Sequence, residues 1–205
     1  MNDAGIEMQQ SNDRALTLEL RHTGERLTLR RIKADSRIEE LHLTGSLPPH
    51  REGPQLHIHF GEEEHGEVIS GTLSASLDGK QFSVEAGGSA CFPKGSAHRW
   101  WNDGDKELVL RGVATPAIDL DRYLQALFEV LNSGRPGRPP LFYMAHVLNR
   151  HRNTQLALVV PRVLQRVLFP IVVFLGTVLG KYRGTEWPGC PIRCTGAPLA
   201  SPDDL

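Results

Sequence analysis

The chain is poor in the features that would mark a secreted, nucleic-acid-binding or membrane-spanning protein. It has only 3 cysteines in 205 residues, Cys91, Cys190 and Cys194, and their spacing gives neither a disulfide framework nor a usual zinc motif, so we expect free thiols. The 23 basic residues are balanced by 24 acidic ones, so we expect no nucleic-acid partner. The first residues lack the basic start and apolar core of a secretory signal, which predicts a cytoplasmic protein.

One short region is rich in potential metal ligands. His57 and His59 are two residues apart, Glu64 follows them closely, and His98 comes after a Pro-Lys-Gly turn. Alternate side chains of a β-strand point to the same side, so the first two imidazoles would converge. A His-x-His pair alone is also typical of a strand surface. Imidazoles combined with a carboxylate suit a divalent transition metal, with Fe2+ or Mn2+ favoured and Zn2+, Ni2+ or Cu2+ as alternatives.

Two stretches around these residues resemble the two motifs of the cupin family. The first runs from Gly53 through the two histidines to Glu64, with Gly71 after six further residues. The second fits the pattern Gly-x5-Pro-x-Gly-x2-His-x3-Asn. Its matching residues are Gly87, Pro93, Gly95, His98 and Asn102. Arg51 stands where the family often has glycine, so the loop before His57 is expected to differ from the family pattern.

The resemblance implies a mainly β fold, the cupin double-stranded β-helix or jelly-roll barrel, over residues 14–115. It also implies one metal held inside the barrel by His57, His59, Glu64 and His98. Glu64 is preferred among the nearby acidic residues because only its spacing to Gly71 fits the motif. Most of its charged neighbours are expected to be solvated: Glu62, Glu63, His65 and Glu67.

The remaining histidines fit no ligand spacing. We expect each of them to lie at the surface or to form ordinary hydrogen bonds: His22, His42, His50, His146 and His151.

Local patterning supports short antiparallel strands independently of the resemblance. Residues 15–21 and 25–32 alternate apolar and polar side chains around a Thr-Gly turn, which predicts a hairpin. Asp78-Gly79 lies between two further alternating segments and suits a tight two-residue turn. Residues 102–105 predict another turn, before a strand at 107–113. Short strands separated by frequent turns indicate a sandwich or barrel.

Strand parity lets us nominate the residues that line a pocket beside the metal. They are Gln55, Val68, Ser70 and Trp100. This largely apolar set suits a small organic ligand. Four protein ligands leave positions open on a metal that accepts six.

These features lead us to expect dioxygenase-like oxidoreductase chemistry on a small organic molecule. The alternatives are a metal-dependent isomerase, in which the metal polarises a carbonyl, and a cupin that binds or senses a small molecule without changing it.

An α-helical C-terminal extension is expected over residues 116–187. Apolar residues recur at helical spacing over 118–131, a Pro- and Arg-rich linker follows, and a second helix is predicted over 141–148. We expect residues 1–13 to be a flexible N-terminus and residues 188–205 a disordered tail. The arrangement also resembles a group of bacterial single-barrel cupins with a helical C-terminal extension.

The extension contains an uncharged apolar segment, residues 167–180. A helix of this length spans only about 21 Å, short of a hydrocarbon core of about 30 Å, which disfavours a transmembrane helix. Pro170 predicts a kink. The segment is expected to be buried against the barrel or a partner subunit, as in a homodimer. The alternative is peripheral membrane contact through residues 163–187, with Tyr182 and Trp187 as interfacial anchors. The basic residues beside the segment are Arg162, Arg166, Lys181 and Arg183.

Overall fold

The computed structural model describes residues 15–33, 38–136 and 138–182 and shows a β-barrel followed by three helices. The strands are β1 (Leu16–Leu20), β2 (Glu25–Lys33), β3 (Glu39–Leu47), β4 (Arg51–Glu52), β5 (His57–His59), β6 (Glu63–Ser70), β7 (Thr72–Leu77), β8 (Lys80–Glu85), β9 (Ser89–Phe92), β10 (His98–Asn102), β11 (Leu108–Thr115) and β12 (Gln155–Ala157). The helices are α1 (Leu120–Ser133), α2 (Leu141–Arg150) and α3 (Arg162–Val178).

Within the described residues, the strands form two antiparallel sheets. One has the order β1-β2-β3-β11-β6-β9, and the other has the order β12-β5-β10-β7-β8, with β4 beside β10. The predicted hairpins are present, since Leu18 pairs with Leu27 and the Asp78-Gly79 turn joins β7 to β8. The mainly β jelly-roll fold that the sequence predicted is therefore confirmed.

Two apolar clusters hold the structure together. One lies between the sheets and includes Leu47, Val68, Leu73 and Leu108, all almost fully buried. The other joins the outer strands to the helices. Its largest buried members include Leu29, Leu41, Leu120, Tyr123, Phe128, Val147 and Phe169. The helical extension therefore shares a core with the barrel. Burying each large side chain contributes about 1.5–3 kcal/mol.

A polar contact fixes the start of the extension on the barrel. The Arg31 guanidinium on β2 donates to both carboxylate oxygens of Asp121, at 2.8 and 2.6 Å, and to Glu39 at 3.1 Å. It also donates to the carbonyl oxygens of Ala117 and Ile118, at 2.8 and 2.7 Å. One side chain thus holds the first turn of α1, because Arg presents several donors in a fixed planar arrangement.

The extension also contains a strand that the sequence reading did not predict. Strand β12 pairs antiparallel with β5, so that Gln155 lies opposite His59 and Ala157 opposite His57. The extension is therefore not purely helical. It adds an edge strand to the sheet that carries the two closely spaced histidines.

We predict that Glu25→Gln changes how stability depends on pH. Glu25 is only 5% exposed, and burial raises its pKa from 4.5 to about 7. The folded state holds this proton more tightly than the unfolded state, so the associated stability is present below pH 4.5 and is lost as the pH rises through 7. Urea unfolding at pH 8 should show Glu25→Gln more stable than wild type by up to about 3 kcal/mol.

Exposed Glu107→Gln is the matched control for this variant and should leave the free energy of unfolding unchanged at pH 8. At pH 4 wild type and Glu25→Gln should differ little. A Glu25→Gln protein whose stability still falls between pH 4.5 and pH 7, in parallel with wild type, would contradict the assignment.

Candidate metal centre

The structure brings the four sequence-nominated ligands together. His57 and His59 project from β5, Glu64 from β6 and His98 from β10, where His98 lies opposite His57 in the strand register. One ring nitrogen from each of the three histidines lies within 4.8 Å of the others. The Glu64 carboxylate lies beside two of these nitrogens, with Oε1 3.6 Å from His59 Nε2 and Oε2 3.5 Å from His98 Nε2.

The hydrogen bonds of the three imidazoles fix which nitrogen carries the proton. His57 Nδ1 lies 2.6 Å from the Gln55 carbonyl oxygen and His98 Nδ1 lies 3.2 Å from the Ser96 carbonyl oxygen. His59 Nδ1 contacts the amide oxygen Oε1 of Gln155. All three oxygens can only accept, so each Nδ1 donates its proton and each Nε2 keeps a lone pair.

In these tautomers, no hydrogen-bond donor from the described residues faces the three Nε2 lone pairs. His57 Nε2 and His59 Nε2 are 3.1 Å apart, although both are acceptors in these tautomers. His98 Nε2 is buried and has no hydrogen-bond partner among the described residues. Lone pairs pointing at one another are repulsive unless a cation lies between them, so this donor set fits a bound metal ion.

Protonation states also fit metal binding. His59 and His98 are 3% and 1% exposed, and His57 is half-buried. Burial lowers the pKa of His57 to about 3 and also lowers the pKa of His59. Burial alone would raise the pKa of Glu64, but the neighbouring histidines outweigh it and hold that pKa at about 2. At neutral pH His57 and His59 are therefore neutral imidazoles and Glu64 is a carboxylate, the forms in which these groups bind a metal.

A buried polar chain supports His59 from the extension side. Gln155 accepts from His59 and donates through Nε2 to Glu62 Oε2 at 3.0 Å. Glu62 Oε1 accepts from the backbone N–H of Asp119 at 3.3 Å, and Asp119 Oδ2 accepts from His151 Nδ1 at 2.6 Å. Residues far along the chain therefore determine which nitrogen of the His59 ring faces the other ligands.

Glu62 corrects one expectation from the sequence. It was grouped with the solvated acidic residues, but its side chain is fully buried and hydrogen-bonded to Gln155 and to the Asp119 backbone. Burial raises its pKa to about 7. No local sequence pattern indicated this burial, because the partners of Glu62 come from the extension.

We predict that Gln155→Leu weakens metal binding by about 10- to 100-fold. The variant removes the acceptor that fixes the His59 tautomer, and it leaves Glu62 without its amide donor. Chelator-competition titration of purified protein would measure the affinity.

Gln81→Leu, on the exposed side of β8, is the matched control and should bind metal like wild type. An affinity for Gln155→Leu equal to that of Gln81→Leu would show that the β12 contact does not orient His59.

The four pocket residues nominated from the sequence lie in different environments. Val68 is fully buried in the core between the sheets, and Trp100 is half-buried against the same core. The side chains of Gln55 and Ser70 are exposed. Contact with a ligand stays a prediction for all four.

Phe92 is a neighbour of the site that the sequence reading missed. Its ring stacks on the His98 ring, with centroids 4.7 Å apart and planes 19° apart, and it lies opposite Glu64 in the strand register. Its position just before the Pro93 turn was the only available signal. The stacking holds the His98 ring in place and gives the centre an apolar wall.

Two motif glycines are explained by close backbone contacts. Gly71 has a φ of +77°, and a Cβ there would lie 2.7 Å from the Glu107 carbonyl oxygen. A Cβ at Gly53 would lie 2.5 Å from the Trp100 carbonyl oxygen, at the point where the chain leaves β4 beside β10. Glycine is required at both positions because no side chain fits.

A second group of potential ligands lies on the other side of β6. His65 Nε2 is 2.8 Å from Glu63 Oε1 and 3.7 Å from the sulfur of Cys91, and the group is largely open to solvent. Cys91 is a free thiol, as expected, whereas Cys190 and Cys194 lie outside the described residues. This group provides a natural control for the buried one.

The histidines that fit no ligand spacing in the sequence lie outside the four-residue centre. His50 is hydrogen-bonded to Asp105 at the surface, while His151 is only 4% exposed and bonds Asp119.

Comparison with known proteins gives one family match and several similar structures. The family model described as a cupin domain matches residues 44–114. An oxidoreductase of Pestalotiopsis fici is 32% identical over 79 residues, which is 37% of this chain and 39% of the relative. The chain thus spans about two fifths of the length of that curated relative.

Among solved structures, a sugar phosphate isomerase from Silicibacter pomeroyi is 23% identical, with 43% of this chain and 59% of that chain covered and a TM-score of 0.37. A cupin described as RmlC-like from Shewanella frigidimarina is 16% identical, with 59% and 99% covered and a TM-score of 0.43. An oxalate decarboxylase from Lactobacillus farciminis is 18% identical, with 52% and 32% covered and a TM-score of 0.42.

Proposed function

We propose that this chain, which contains a cupin domain at residues 44–114, is a metal-dependent oxidoreductase of small organic molecules. His57, His59, Glu64 and His98 would hold one divalent transition metal, with Fe2+ or Mn2+ favoured by the carboxylate in the set. When bound, such a metal supplies a Lewis acid and a redox-active centre with coordination positions left over by its four protein ligands.

The observation that carries this proposal is the convergence of three imidazole lone pairs. Each Nδ1–H is committed to an oxygen, each Nε2 points inward, and His98 Nε2 has no hydrogen-bond partner in the described part of the chain. A structural histidine cluster would instead satisfy its buried nitrogens with donors from the chain.

The residues around the centre decide how a molecule could approach it. His59 and His98 are closed off from solvent, whereas His57 is half-buried and the Glu64 side chain is 18% exposed. A small molecule would therefore arrive from the His57 and Glu64 side. Phe92, stacked on His98, would offer an apolar surface to the body of that molecule.

The oxidoreductase reading is preferred to its two alternatives for a chemical reason. A mixed imidazole and carboxylate set accommodates redox-active iron or manganese, and the Pestalotiopsis fici relative is named an oxidoreductase. Metal-dependent isomerisation and binding without turnover use the same centre but consume no oxygen.

An oxygen-consumption assay tests the proposal. Protein loaded with Fe2+ or Mn2+ is offered enolates, flavonols and dicarboxylates, while an oxygen electrode and mass spectrometry follow the reaction. We expect metal-dependent oxygen uptake with an oxidised product, lost in the His57→Ala, His98→Ala double variant and kept in His65→Ala.

Two results would overturn the oxidoreductase assignment. A substrate converted to an isomer without oxygen uptake would indicate the isomerase. A ligand that binds the loaded protein and returns unchanged would indicate a binding or sensing protein.

A further inference from the structure

Helix α3 presents a long apolar stripe to solvent. Large aliphatic and aromatic side chains along it are between 41% and 77% exposed. They are Val163, Leu164, Val167, Leu168, Ile171, Phe174, Leu175 and Val178. At 100° per residue these positions fall within about 140° of the helix circumference, so they form one continuous surface.

The opposite side of α3 is the one that packs on the protein. Gln165, Phe169 and Gly176 are buried, and Gln165 donates to the carbonyl oxygens of Ala157 and Val160, both at 2.6 Å. The apolar stripe is therefore not the packing face of the helix. It is additional apolar surface, of an extent that usually marks an interaction site.

The stretch of sequence that contains the stripe carries charge of one sign. Residues 130–185 contain no acidic residue and eight basic ones, whereas residues 1–129 contain 21 acidic and 14 basic residues. Seven of the eight lie in the described part of the chain: Arg135, Arg138, Arg150, Arg152, Arg162, Arg166 and Lys181. The net charge of the whole chain is near zero because a cationic C-terminal extension is balanced by an acidic N-terminal part that contains the barrel.

We propose that α3 binds the interface of an anionic lipid bilayer, with its apolar stripe in the acyl boundary and the basic residues at the lipid phosphates. This inference is independent of the proposed reaction. An amphipathic helix with basic flanks and exposed Phe, Leu and Val is the form that lies in the plane of a membrane surface. Each basic residue near an anionic surface strengthens binding about fivefold.

The same charge pattern argues against a second copy of this chain as the occupant. Two stripes packed together would bring two acid-free, basic regions into contact, and the like charges would repel. Crossing the bilayer is also disfavoured, since 17 residues of helix span only about 25 Å. Within residues 15–33, 38–136 and 138–182, no helix is long and apolar enough to cross a membrane.

Tyr182, which the sequence suggested as an interfacial anchor, is buried inside the extension and is not on the exposed stripe. It is 4% exposed, its hydroxyl donates to the Phe142 carbonyl oxygen at 3.1 Å, and its ring lies against Tyr143 and His146. Trp187 lies outside the described residues. The aliphatic stripe and Phe174 would therefore provide the contact.

Flotation with lipid vesicles tests the inference. The full chain should float with vesicles of phosphatidylcholine and phosphatidylglycerol in equal amounts, and should float far less with phosphatidylcholine alone or in high salt. Val167→Gln together with Phe174→Gln should reduce the bound fraction by more than about tenfold. Both side chains are exposed, so the fold should tolerate the change. Ile69→Gln, an exposed apolar residue on β6, is the control.

The electrostatic part is tested separately. Arg166→Gln with Lys181→Gln should weaken binding to the anionic vesicles by roughly 25-fold, at about fivefold per charge, whereas Lys80→Gln with Lys106→Gln on the barrel should not.

Failure of the full chain to float with the anionic vesicles would overturn the proposal. Two further measurements would then identify what covers the stripe. In light scattering, a dimer that Val167→Gln with Phe174→Gln dissociates would indicate a second copy of this chain. Flotation gained only on removing residues 183–205 would indicate that this segment covers the stripe.

Discussion

Replacing His98 by alanine is expected to abolish stoichiometric metal binding. His98 Nε2 lies at the centre of the site, 3.5 Å from Glu64 Oε2, and it has no hydrogen-bond partner within the described residues. Removing one of four ligands leaves an incomplete donor set around a buried position. Elemental analysis of protein purified without added metal or chelator should find about one metal ion per chain in wild type and almost none in the variant.

His65→Ala is the matched control for this experiment. His65 lies one residue from Glu64 but belongs to the solvent-exposed group with Glu63 and Cys91 on the other side of β6. It should keep full metal content. Metal lost from His65→Ala and retained by His98→Ala would move the binding site to the exposed group. Circular dichroism of each variant would confirm that it is folded.

Asn102→Asp is expected to lower the free energy of unfolding by roughly 3 kcal/mol or more at pH 7, although the two side chains have the same shape. Asn102 is 1% exposed, and its Nδ2 group lies 3.0, 3.1 and 2.8 Å from the carbonyl oxygens of Leu47, Pro48 and Lys106. Aspartate would place a negative oxygen against three acceptors in a buried position. Urea denaturation monitored by circular dichroism would measure the loss.

Asn149→Asp is the control for this variant. Asn149 Oδ1 accepts from Arg152 at 3.0 Å, and a carboxylate can make the same contact, so its stability should hardly change. Equal unfolding midpoints for the two variants would show that Asn102 does not hold the end of β10 to the turns around it. The contacts of Asn102 also explain why an asparagine ends the second motif.

Much of the secondary structure of the barrel could be predicted from the sequence because the patterns that indicate it are local. Alternation over 15–21 and 25–32 predicted a hairpin that is present, and the Asp78-Gly79 turn joins the strands expected to flank it. Helix α1 occupies Leu120–Ser133 where 118–131 was predicted, and α2 ends two residues later than predicted, at Arg150. These features depend on periodicity and turn chemistry within a few residues.

The contacts that support the metal centre could not be predicted from the sequence. Gln155 meets His59 across 96 residues, and Glu62 meets Gln155 across 93. Nothing in the local pattern of the extension marks β12 as a partner for β5, since a strand of three residues has too little alternation to be recognised. The burial of Glu62 follows from the same pairing.

The sequence by itself indicated the convergence of His57 and His59, the turns and the mainly β fold, because strand alternation and turn chemistry are local. It indicated Glu64 and His98 as further ligands only through the resemblance to the two cupin motifs. Only the tertiary structure decided which tautomer each histidine adopts, which carboxylate is buried, and which side of α3 remains uncovered. Those outcomes depend on neighbours supplied by distant parts of the chain, and side-chain periodicity carries no information about them.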